Sequence, residues 1–171
     1  SAEVCPHHFA MTEDEIAGDD ANYKMNPPLR SAADVEALVD GLADGTMEAI
    51  STDHAPHGEE EKKQSIAKAP FGIVGSETAY ALSVTHLVKT GKLTPLQLVE
   101  KMSTNPCRIL SVPGGTLSVG APADITIADM DSEYVIDKNT FLSKGKNTPF
   151  DGAKVNGRVY YTCLLYTSDA A

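Results

Sequence analysis

The run Met47-Glu48-Ala49-Ile50-Ser51-Thr52 passes without a break into Asp53-His54-Ala55-Pro56-His57, and this join decides the architecture. A short apolar run beside turn residues reads as a buried strand, and a helix just upstream makes the pair an αβ unit. That helix opens at Ser31, which has capping-box spacing to Asp34. Val35, Leu38, Val39 and Leu42 fall at i, i+3, i+4 and i+7 and form one apolar stripe. Gly45 suits the left-handed residue that ends a helix.

Downstream, the charged residues 59 to 63 read as a solvated loop. Phe71, Gly72 and Gly75 precede a helix expected from about Ser76 to Thr90 and stopped by Gly91. Thr94-Pro95-Leu96-Gln97 starts another, with proline in the first turn, and Asn105-Pro106 a last short one. Upstream, Glu3, Val4 and Cys5 read as the tail of a strand, and with no initiator Met the chain is expected to be cut from something longer. A polar loop from Thr12 to Asn26 then ends at Pro27-Pro28. Beyond Pro113-Gly114-Gly115 the apolar period shortens to two, through Leu117 and Val119, Ile125 and Ile127, then Tyr134 and Ile136. A further strand is expected from Lys154 to Thr162. The reading is α/β: βα units first, a small β module second, and a boundary near residue 113.

Composition narrows the function. The 171 residues are 42% hydrophobic and 22% charged, an ordinary globular mix that excludes a wholly disordered or collagen-like chain. No apolar run is long enough to span a membrane, and SAEVCPHHFA lacks the basic and apolar regions of a signal peptide. Fourteen Lys and Arg against 24 Asp and Glu give a net charge of −10, unsuited to nucleic acid. Cys5, Cys107 and Cys163 form no C-x-x-C pair, which points to a reducing compartment, the cytoplasm, and to no cysteine-based zinc site.

Asp53 stands just past a buried strand, and the C-terminal ends of parallel strands hold active sites. A carboxylate there can bind metal or act as a general base, and an imidazole at His57 can bind an anion or shuttle a proton. The spacing alone leaves open that Asp53 caps a turn and His57 is an ordinary loop residue. If His7 and His8 lie on a strand, they point to opposite faces and serve structure better than chelation. By the same argument His54 faces away from Asp53 and packs inside, and His86 is structural. Asn26 reads more simply as a loop end than as a ligand-binding amide. Phe71-Gly72 is either a turn or a place where backbone approaches a ligand.

Five strings recur together and in order: Val4-Cys5-Pro6-His7-His8, Lys24-Met25-Asn26-Pro27-Pro28-Leu29-Arg30, Thr52-Asp53-His54-Ala55-Pro56-His57, Pro70-Phe71-Gly72-Ile73-Val74-Gly75 and Thr104-Asn105-Pro106. With Lys146-Asn147-Thr148-Pro149-Phe150 they resemble the C-terminal part of class I bacterial dihydroorotases, in the amidohydrolase superfamily, over about residues 1 to 162.

The resemblance implies the C-terminal part of a metal-dependent (β/α)8 TIM barrel, with strands 7 and 8 and their helices in residues 1–113. Residues 114–162 become the C-terminal strands of a small β-sandwich. The implied reaction is reversible ring closure of N-carbamoyl-L-aspartate to L-dihydroorotate in pyrimidine synthesis, by a metal-activated hydroxide. Asp53 matches an aspartate that binds metal and serves as catalytic base. His57 and Asn26 match substrate-binding residues, and Phe71-Gly72 a segment whose backbone touches substrate. Zinc is the implied cofactor, binuclear in the family, but its remaining ligands have no counterpart in this sequence. The 171-residue chain alone is therefore expected to be inactive and to hold zinc poorly. The implied partners are a small-molecule substrate and either a second copy or aspartate carbamoyltransferase. Residues 163–171 depart from the family and are expected to be a sequence-assembly artefact. Two other functions stay open: an allantoinase or hydantoinase, and a non-catalytic homologue that scaffolds aspartate carbamoyltransferase.

Overall fold

A computed structural model describes residues 1–164, so the expected non-family tail lies, from residue 165 on, outside the described residues. Strand β1 (Glu3–Val4) pairs in parallel with β2 (Ala49–Ile50), with Val4 opposite Ile50. Helix α1 (Pro6–Ala10) follows β1 immediately. Helix α2 (Ala32–Asp44) precedes β2 and has the expected ends: the Ser31 hydroxyl accepts from Asp34 N, and Gly45 adopts φ +92°. The αβ unit centred on residues 47–57 is thus present, and Asp53 and His57 follow its strand.

Two expectations fail in the helical segments. Residues 59–63 are not a plain loop, because Glu59–Lys62 forms a helical turn, α3, whose Lys62 is buried. The helix expected from 76 to 90 is α-helical only over α4 (Ala79–Ser83) and continues as a π-helical turn, Val84–Val88. There the Thr85 hydroxyl donates to Ala81 O at 2.7 Å and accepts from Asn156 N at 2.8 Å. A hydroxyl bonded four residues back commonly bends a helix, and Gly157 presses close: a Cβ on it would lie 2.8 Å from Val84. Helix α5 (Pro95–Val99), capped by Thr94 as expected, runs through a second π turn, Glu100–Thr104, into α6 (Asn105–Leu110).

Past residue 113 the strands are fewer and longer than the alternation suggested. Strand β3 (Ile125–Val135) pairs antiparallel with β4 (Lys154–Cys163). Register shifts after Ile127 and Asp129 change which face is covered, so Ile125 and Ile127 are exposed while Tyr134 is half-buried. Leu117 and Val119 lie in no strand and are fully exposed.

Two apolar cores hold these elements. The first gathers Val4, Phe9, Leu42, Ile50, Leu87 and Leu98 around the parallel pair. The second joins Met25, Leu29, Ile73 and Leu82 to Ile136, Phe141, Phe150 and Val155, so residues from both sides of position 113 share one interior. No helix among the described residues is long and apolar enough to cross a membrane.

Candidate functional site

Asp53 sits three residues past the end of the β1–β2 register at Ile50, is exposed, and has φ +45°. The left-handed region admits aspartate more readily than most side chains, because its short polar group bonds locally. A cleft of about 870 Å³ opens here, and Cys5, His8, Asn26, Arg30, Ser51 and Asp53 line it. The sequence candidates Asp53 and Asn26 therefore share one cavity. The backbone under this loop is tightly packed, since a Cβ on Gly75 would lie 2.4 Å from Thr52 O.

His57, Phe71 and Gly72 form a second group. His57 Nε2 lies 2.9 Å from Phe71 O, and Nδ1 lies 3.8 Å from a Glu61 carboxylate oxygen. Gly72 adopts φ +104°, and a Cβ there would meet Ala55 Cβ at 2.5 Å, so only glycine fits. Its N–H donates to Lys24 O at 2.9 Å, which ties the 70–72 loop to the segment ending in Asn26. Phe71 is half exposed, with Lys24 Nζ 4.6 Å from its ring centre. Buried Lys62 donates to Pro70 O at 3.1 Å and to Gly72 O at 2.9 Å, and its desolvation lowers the amine's pKa. A parallel bridge between His54 and Ile73 completes the link between the two loops.

The other histidines depart from expectation. His7 and His8 are not on a strand; both lie in α1, with ring centres 4.2 Å apart. His8 Nε2 pairs with Pro27 O at 2.8 Å. His7 is 2% exposed, its Nε2 has no partner, and burial, reinforced by His8, pushes its pKa down to about 3. His54 is exposed instead of packed, and its Nδ1 accepts from the N–H groups of Gly75 and Ser76, both at 3.2 Å. His86 is half-buried, and desolvation lowers its pKa. Cys5 Sγ lies 3.5 Å from Ser51 Oγ, and burial raises its pKa.

Sequence reasoning missed Lys62, Glu61 and the side chain of Asn147. Lys62 was hidden in a charged run, where burial leaves no mark on composition. Asn147 lay inside a quoted string, but its partners are about ninety residues away. It also missed that Cys5, His7 and His8 bring donor atoms within 4.8 Å of one another.

The model of the Amidohydrolase family matches residues 7–164, and the chain belongs to that family. Among curated relatives, the dihydroorotase of Bacillus licheniformis is 58% identical over 157 residues, 92% of this chain and 37% of that protein. The dihydroorotase of Staphylococcus aureus (strain Mu50) is 55% identical over 164 residues, 96% of this chain and 39% of that protein. Among solved structures, L-hydantoinase (dihydropyrimidinase) from Arthrobacter aurescens superposes with TM-score 0.85 at 33% identity, covering 94% of this chain and 37% of that one. Dihydropyrimidinase from Brevibacillus agri NCHU1002 gives TM-score 0.86 at 26% identity, with the same coverage. The chain thus spans under two-fifths of the length of these relatives. Its fold is an α/β fragment of the metal-dependent TIM-barrel type, and the family implies a metal cofactor. Asp53 fits such an ion as one hard oxygen ligand at the cleft, while a zinc site needs about four converging donors.

Proposed function

We propose that this chain is the C-terminal share of a dihydroorotase, with residues 1–113 contributing strands 7 and 8 of a (β/α)8 barrel and their helices. Residues 114–162 contribute C-terminal strands of a small β-sandwich. The supporting observation is 55–58% identity to dihydroorotases over nearly the whole chain, with Asp53 and Asn26 on one cleft and His57 on a second, held to Phe71 O.

The reaction is reversible hydrolysis of the cyclic amide of L-dihydroorotate to N-carbamoyl-L-aspartate. Asp53 would be one ligand of the zinc ion, which when bound would supply Lewis acidity that lowers the pKa of the attacking water to about 7. The Asp53 carboxylate accepts that water's proton and delivers it to the ring nitrogen as the carbonyl–nitrogen bond breaks, so protons balance. Asn26 offers amide donors and an acceptor to the substrate from the same cleft. His57 meets the substrate carboxylate by exchanging one present partner, the Phe71 carbonyl or Glu61, for the anion. Phe71-Gly72 presents backbone to the same ligand. The setting is the cytoplasm, and either a second copy or aspartate carbamoyltransferase is the protein partner.

The hydantoinase structural neighbours, at 25–33% identity, give weaker support to a second reading, a hydantoinase or allantoinase type of cyclic amidohydrolase. Turnover by the full-length protein carrying these residues separates the two. Hydrolysis of dihydroorotate well above hydantoin and allantoin supports the first reading, and the reverse order overturns it. No turnover of any of the three would point to the non-catalytic scaffold.

A further inference from the structure

Gly145 and Asn147 reach the site from the far end of the chain. A Cβ on Gly145 would lie 2.8 Å from Pro56 Cβ and 2.9 Å from His57 N, so this segment backs directly onto the His57 loop. Asn147 is 6% exposed. Its Oδ1 accepts from His57 N at 2.9 Å, and its Nδ2 donates to Ala55 O at 3.0 Å and to Gly72 O at 3.1 Å. Its main-chain oxygen accepts from Val74 N at 2.8 Å. All three side-chain partners are backbone groups of fixed polarity, so only one orientation of the amide satisfies them. Buried hydrogen bonds of this kind carry a large penalty when one partner is removed.

We infer that Asn147 is the positioning residue of this site: its amide locks loop 55–57 to loop 72–74 and so sets where the His57 imidazole stands. The inference rests on the dihydroorotase reading only for which ligand His57 meets. Aspartate, the isostere, would keep the acceptor for His57 N–H but turn a carboxylate oxygen on two carbonyls. Alanine would remove all three bonds and leave only the main-chain bond to Val74.

The test uses the full-length protein carrying Asn147→Ala or Asn147→Asp, with Asn156→Ala on β4 as a control. Amide exchange at His57 is expected to speed up about tenfold or more in Asn147→Ala, the factor one ordinary hydrogen bond produces, while the Val74 amide stays protected. The KM for dihydroorotate is expected to rise about tenfold in both Asn147 variants, with kcat falling less. Asn156→Ala leaves KM and His57 exchange unchanged. If Asn147→Ala does not fold, the isosteric aspartate carries the kinetic arm. An unchanged KM in variants that merely melt earlier, or an unchanged His57 amide in Asn147→Ala, overturns the inference. If the unmutated protein does not turn over dihydroorotate, the functional reading fails, and His57 exchange alone decides the positioning role.

Discussion

The imidazole Nε2 of His57 lies 2.9 Å from the carbonyl oxygen of Phe71, a contact across 14 residues. A carbonyl only accepts, so this nitrogen carries the proton, and Nδ1 is left facing Glu61. Two loops that the sequence separates by an acidic turn therefore move as one piece. Side chains on either loop inherit their position from the other, and substitutions in one should be read out in both.

Asp53→Asn should keep the fold and lose the chemistry. Asparagine tolerates the φ of +45° found at this position, so the backbone has no reason to move. It cannot take a proton at neutral pH. In the full-length protein, kcat for dihydroorotate is expected to fall about 10²–10⁴-fold with the melting temperature unchanged. Steady-state kinetics beside a thermal melt checks both halves.

Gly72→Ala and Gly45→Ala separate conformational strain from collision. Both glycines have positive φ, at +104° and +92°, but the space beside Gly45 is open while a Cβ at Gly72 meets Ala55 at 2.5 Å. Gly45→Ala should cost about 1–2 kcal/mol, the ordinary penalty of a left-handed alanine. Gly72→Ala should cost more, because the Ala55 loop must also shift. Urea midpoints of the two variants give the order.

Stability should decline in mild acid because of His7. Its folded pKa of about 3 lies below the ordinary value of 6.5, so the native state resists protonation and the unfolded chain does not. The stabilisation is whole above about pH 6.5 and is lost as pH falls from there toward 3, by up to about 1.4 kcal/mol per pH unit. His86 shifts in the same direction. Between pH 6.5 and about 5.5, above the ordinary carboxylate range, His7→Asn should flatten the dependence of the urea midpoint on pH. A slope equal to that of the unmutated protein would contradict it.

Cys5 should react slowly for a thiol at the edge of a cleft. Burial raises its pKa most, the Ser51 hydrogen bond offsets part of that, and the nearby Asp53 and Glu3 charges add smaller increases. The thiolate is the reactive form. Alkylation at pH 7 is expected to lag behind that of a free cysteine and to climb with pH beyond the ordinary thiol range. Ser51→Ala, which removes the one lowering contact, should slow it further.

The αβ unit, the Ser31 cap and the β4 strand were legible because each is a local pattern: a stripe, a capping box, an alternation. The π turn at Val84–Val88 was not, since its bend depends on Thr85 meeting Asn156 across 71 residues. His7 and His8 were misplaced because Pro6 starts a helix one residue after a two-residue strand, too short a strand for periodicity to locate its end. At the site, Asp53 could be picked out by its place after a strand. The supports of His57 could not, because Asn147 and Lys62 act through backbone partners that leave no pattern in sequence.

Ile136, Phe141, Phe150 and Val155 roof an interior whose floor is Met25, Ile73 and Leu82. A recombination joint anywhere between residues 113 and 136 would part roof from floor. The reactive end of this chain and its tail must therefore be inherited together, and grafting either one onto another barrel means transplanting both.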